Sequence, residues 1–148
     1  MRNIRRAVSF VGVALWLAAG ASAQEAATFR ARLSLVPVDA VTSRTTSGSG
    51  SATAALIGSQ VFITGTFSGL SSPAVSAHLH QAPRGQRGPV AFTLSVTKAA
   101  SGVLGVGLDL TSSQIQDLRQ GRYYIQIHTE RNPEGEIRGW LFPQEAQP

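Results

Sequence analysis

Apolar and polar residues alternate along most of this chain with a period of two, the signature of half-buried strands. Phe29, Ala31, Leu33 and Leu35 alternate with Arg30, Arg32 and Ser34, and Pro37 ends the run. Residues 42–51 are rich in Ser, Thr and Gly and read as a loop. Ser51 to Ile57 is a strand of small residues, and Gly58-Ser59 turns it into Gln60 to Ser68, where Val61, Ile63 and Gly65 oppose Phe62, Thr64 and Thr66. Gly69 to Pro73 turns the chain again into Ala74 to His80. A Gly/Pro loop over 82–89 precedes Val90 to Val96, with Val103 to Leu110 as its expected hairpin partner. Arg122 to Thr129 and Gly135 to Phe142 close the pattern, and residues 143–148 read as a loose tail.

One helix interrupts the strands. Thr111-Ser112-Ser113-Gln114 fits a capping box, in which a Thr hydroxyl and a Gln amide satisfy backbone groups at the helix start. Ile115 and Leu118 share a side, and Gly121 stands where a left-handed C-terminal cap belongs. About eight short strands and a single helix predict an all-β fold: an antiparallel Greek-key β-sandwich or flattened barrel.

The N-terminus reads differently. Arg2, Arg5 and Arg6 precede an apolar stretch from Ala7 to Gly20, and Ala21-Ser22-Ala23 is an A-x-A cleavage site. Residues 1–23 are therefore expected to be a signal peptide, too short in its apolar part to span a bilayer, followed by one domain over 24–148 with its core at about 29–142. Export to a periplasm or to the medium follows, with no membrane span after cleavage. The chain carries 13 Lys and Arg against 8 Asp and Glu; three of those Arg lie in the signal, so the net charge falls from +5 to +2. Scattered over the domain, that charge gives no case for nucleic-acid binding. With no cysteine, neither a disulfide nor a lipid anchor on Cys is available.

The candidate chemistry lies in three histidines. Residues two apart on a strand share a face, so His78 and His80 point one way while Ala77 and Leu79 point the other. In Tyr123–Thr129, Tyr124, Gln126 and His128 oppose Tyr123, Ile125 and Ile127. If the apolar sets face a core and the two strands are neighbours, three imidazoles meet on the outer side as a candidate metal site. Neutral imidazoles hold copper or zinc, among other metals, and three of them leave a coordination position open. The alternative is that the rings hydrogen-bond to loops and pin strands together. Around them, Tyr124, Thr129, Glu136 and Arg138 are candidate outer-shell partners. Glu136, Arg138 and Trp140 are expected to face outward, opposite Ile137, Gly139 and Leu141. Arg84 and Arg87 flank the loop after His80, either as solvated charges or as a pair that steers an anion. No nucleophile-base-orienter set and no phosphate-binding glycine motif is visible.

Two stretches carry a family resemblance. Ala77-His78-Leu79-His80-Gln81-Ala82-Pro83 with Gly85 and Gly88-Pro89-Val90, and Gly121 to Thr129 followed by Asn132-Pro133-Glu134-Gly135-Glu136-Ile137-Arg138-Gly139, resemble the histidine pair, Gly-Pro loop and closing motif of the chordin-type (CHRD) domain. The resemblance spans roughly residues 29 to 142, with Trp140 where the family more usually has a polar residue. It implies a compact exported β domain, a non-enzymatic binding or structural module whose extracellular or envelope ligand is unknown, and it does not carry growth-factor binding with it. In order and strand parity, His78-x-His80 and a later strand histidine, His128, are also similar to the copper side of Cu,Zn superoxide dismutases. No histidine is left over for bridging or for a zinc site, so that likeness implies at most a degenerate three-imidazole copper or zinc site. Trp140 and Tyr124 suggest a third reading, carbohydrate or envelope binding through aromatic rings.

Overall fold

The computed structural model describes residues 26–36 and 42–144. The signal segment expected over residues 1–23 and the end of the tail lie outside the described residues. No described helix is long and apolar enough to cross a membrane.

The strands are β1 (Ala27–Leu35), β2 (Ser49–Ile57), β3 (Gln60–Ser68), β4 (Ala74–Gln81), β5 (Val90–Val96), β6 (Gly102–Asp109), β7 (Tyr123–Thr129), β8 (Ile137–Trp140) and the two-residue β9 (Phe142–Pro143). Helix α1 (Ser112–Arg119) joins β6 to β7. All strand pairs are antiparallel, in the order β2-β3-β6-β5-β4-β7-β8-β1-β9, and β1 also pairs with β2. The sheet therefore closes on itself as an eight-stranded barrel, with the β9 stub against β1.

Alternation dictates the packing. In β1, Phe29, Ala31 and Leu33 are buried while Arg30, Arg32 and Ser34 are exposed. Small residues in β2 (Ala52, Ala54) face the same core as Phe29, Ile63, Leu79, Ile125, Ile127 and Ile137. The expected β5–β6 hairpin forms, but only two rungs pair, Ser95↔Gly105 and Val96↔Leu104. β6 instead runs its full length against β3. The rest of β5 follows β4, so the barrel is flattened along that seam.

The barrel ends are plugged in different ways. At one end, α1 has the predicted capping box: Gln114 N–H donates to Thr111 Oγ1, and Gln114 Oε1 accepts from Thr111 N–H. Its C-terminus closes as a Schellman motif, with Gly121 N–H donating to Leu118 O, Arg122 N–H to Asp117 O, and Gly121 at φ +67°. Leu110 and Leu118 are buried there. At the other end the plug is polar. Glu136 is fully buried, and its Oε1 accepts from Ser47 N–H (2.8 Å) and Ser71 N–H (2.9 Å). Asn132 donates to Thr45 O and Ser71 Oγ, and its own N–H bonds Thr129 Oγ1.

This corrects the outward placement of Glu136 drawn from strand parity. β8 begins only at Ile137, and Gly135, at φ +116°, turns the chain just before it. The Glu136 side chain thereby leaves the alternation and enters the barrel end. Burial pushes its pKa up, but hydrogen bonds from Thr129 and from Ser47 and Ser71 outweigh that and hold it below the usual carboxylate value.

Candidate metal centre

β4 and β7 are neighbours, in the register His78↔Gln126, Leu79↔Ile125, His80↔Tyr124, with His128 opposite Ser76. The three imidazoles thus meet on the outer face, over the layer of Ala77, Leu79, Ile125 and Ile127 that fills the core. Ring centroids lie 4.9 Å apart for His78–His128, 5.9 Å for His78–His80 and 6.1 Å for His80–His128. One nitrogen from each ring lies within 4.8 Å of the others. Ligand bonds near 2 Å at tetrahedral angles require about 3.4 Å between nitrogens, so small side-chain rotations separate this arrangement from a coordination sphere.

Loops cover only part of this outer face, and His78 and His128 remain partly exposed. His80 is only 8 % exposed. Its Nδ1–H donates to Gly88 O (2.9 Å), and His128 Nδ1–H donates to Pro133 O (2.8 Å). A carbonyl can only accept, so each bond places the ring proton on Nδ1 and leaves Nε2 with a lone pair. Those two Nε2 atoms, and Nδ1 of His78, are buried without a hydrogen-bond partner. Two of the rings thus bond loop backbone through one nitrogen each. The other nitrogen of each ring is left free, which is how backbone carbonyls orient metal-binding histidines.

Two of the rings disfavour the charged form. Burial lowers the His78 pKa, and the neighbouring His128 and His80 lower it further. Burial also lowers that of His80; the Gly88 carbonyl opposes this, while His128 and Arg138 add to it. Loss of the proton is the condition for an imidazole to bind metal.

Of the four expected outer-shell residues, two are nearby. Tyr124 stacks on His80 with ring centroids 4.7 Å apart and planes 4° from parallel, and its hydroxyl accepts from Gly88 N–H (3.2 Å). It is 2 % exposed, so it is not the surface aromatic expected of a sugar platform. Arg138 lies beyond it, its guanidinium carbon 5.8 Å from the Tyr124 ring centroid and 5.2 Å from that of Trp140. Thr129 and Glu136 belong instead to the polar plug at the barrel end.

The parts that loops supply leave no mark in the residue pattern. The Gly88 and Pro133 carbonyls carry no side-chain signal. Gly88 itself is required by close approach: a Cβ there would collide with the backbone carbonyl of Gln81 and with Ala82 Cβ at 2.8 Å. Gln126, between the rings on the same face, donates to Glu134 O (2.8 Å) and ties down the 130–136 loop.

No curated protein and no solved structure matches this chain. The family model described as the CHRD domain matches residues 29–141, which takes in the whole barrel from β1 to the end of β8, both histidine strands and the loops that cover them, and the chain belongs to the CHRD domain family.

Proposed function

We propose that this protein is an exported, non-enzymatic binding module that holds a divalent transition metal, copper or zinc, through His78, His80 and His128. The observation that carries the reading is three clustered imidazoles, each with a buried, unpartnered ring nitrogen and with one nitrogen of each within 4.8 Å of the others. A buried polar atom without a partner is costly unless something satisfies it. Two of the rings have their remaining nitrogens bonded to fixed carbonyls, so the lone pairs are already oriented. Three such donors leave a position for water or a small external ligand. Copper there would supply one-electron chemistry, and zinc would supply none.

Export is supported by the pattern of residues 1–23 and by membership of a family with exported single-domain members. Calorimetric titration of chelator-treated protein with Cu²⁺ and Zn²⁺ tests the metal reading. One equivalent bound by the native chain and lost in His80→Ala supports it. No binding, or binding indifferent to that change, removes it.

A further inference from the structure

Beyond the Tyr124–Trp140 pair lies a second site of opposite character. The outer face of β8 and β1, with the loop after β4, forms a cleft of about 460 Å³ lined by Arg30, Arg32, Arg84, Arg138, Trp140 and Phe142. Its volume is in the range of small-ligand pockets. Four arginines line it, and among the described residues no acidic one does. Arg30 and Arg32 are two residues apart on the exposed face of β1, and Arg138 stands opposite Ser34 in the β1–β8 register. Arg84 sits over the Phe142 ring at 5.2 Å.

Arg138 gives this cleft its meaning. The residue is only 8 % exposed, yet its guanidinium makes no hydrogen bond or ion pair among the described residues. Its companions are the faces of Tyr124 and Trp140. Burial pulls its pKa below the usual arginine value, and nearby Arg87 adds to the pull while Tyr124 opposes it. Buried charges are ordinarily paired, and a guanidinium presents a planar fork suited to two oxygens of an oxyanion. Trp140 is partly exposed, and its indole N–H donates to Ala82 O (3.2 Å), which fixes the ring at the cleft wall.

We propose that the cleft binds an organic anion: a carboxylate, phosphate or sulfate seated on Arg138 with Arg84 and Arg32, carried on a flat ring that lies against Trp140 and Phe142. The site does not depend on a metal. The two sites adjoin across the Tyr124–Trp140 pair, whose rings are 4.8 Å apart, and both draw on the loop after β4.

The test is calorimetry on the intact chain with chelator present, using phenyl phosphate, benzoate, inorganic phosphate and phenol as probes. Phenyl phosphate, benzoate or both are expected to bind at least tenfold more tightly than inorganic phosphate, and phenol not at all. Which of the two binds distinguishes a phosphate-type from a carboxylate-type ligand. Arg138→Gln and, independently, the loop variant Arg84→Gln should each weaken binding at least tenfold, while Arg119→Gln, on the last turn of α1, leaves it unchanged. His80→Ala should also leave it unchanged, which separates this site from the metal reading. Absence of binding by both aromatic anions, equal affinity for inorganic phosphate, or a loss in Arg119→Gln matching that in Arg84→Gln would overturn the proposal.

Discussion

The histidine patch and the arginine cleft lie on one continuous outer face, yet they treat their polar atoms in opposite ways. On β4 and β7 two rings have one nitrogen committed to a loop carbonyl, and all three have a buried nitrogen without a hydrogen-bond partner. On β8 and β1 a charged guanidinium lies largely buried against aromatic faces, with no protein hydrogen bond or ion pair among the described residues. The proposed ligand is accordingly a cation for the first arrangement and an anion for the second. Burial has the same sign of effect in both, lowering the pKa of His78, His80 and Arg138. For an imidazole that shift yields a neutral donor at neutral pH. Arginine stays charged, so there the same burial leaves a standing demand for a counter-charge.

The sharpest way to break this contrast is to exchange the effects. His80→Ala should lower Cu²⁺ or Zn²⁺ affinity by more than the roughly 10–100-fold typical of losing an outer-shell partner, whereas Arg138→Met should change it less than about threefold. Calorimetric titration of both variants reads the difference, and comparable losses in both would merge the two regions into one site. Gly88→Ala comes next. The added methyl displaces the loop from Gln81, and with it the carbonyl on His80 and the amide on Tyr124. Metal affinity should fall by about 10–100-fold, with a denaturation midpoint lowered by the equivalent of about 1–3 kcal/mol. An unchanged affinity would mean that the carbonyl does not orient the ring.

Acid should act on the patch and spare the cleft. In metal-free protein the folded-state pKa values of His78 and His80 lie below the ordinary 6.5. The unfolded chain therefore takes up more protons as pH falls through that value, and stability present above it declines. Glu136, held below the ordinary 4.5, adds a second decline at lower pH. Urea midpoints measured from pH 8 to pH 3 should fall in these two windows, and a His78→Gln, His80→Gln double variant should flatten only the upper one. The smallest effect belongs to Arg138→Met. Removing a buried cation without a counter-ion should stabilise the ligand-free protein by about 1 kcal/mol, seen as a raised thermal midpoint; a lowered midpoint would mean that its ring contacts outweigh its desolvation.

Much of this was legible in the chain because strand alternation is strictly local. His78, His80, Tyr124 and His128 fall on one face by parity alone, and the helix caps follow from Thr111, Gln114 and Gly121. What escaped depends on closure. Arg32 and Arg138 meet only because β1 pairs with β8, a partnership between residues about a hundred positions apart that periodicity does not encode. The alternation of Arg30 and Arg32 against Phe29 and Leu33 did mark them as outward-facing, but gave no partner. Glu136 escaped for the opposite reason: a turn at Gly135 broke the alternation one residue before the strand began.

β1 is seamed to β2 along one flank and to β8 and β9 along the other. The earliest strand of the domain therefore waits for the last before the cylinder can shut. A ribosome must release nearly the whole polypeptide before Ser34 finds Arg138 and Arg30 finds Phe142, and such long-range pairings are slow to form.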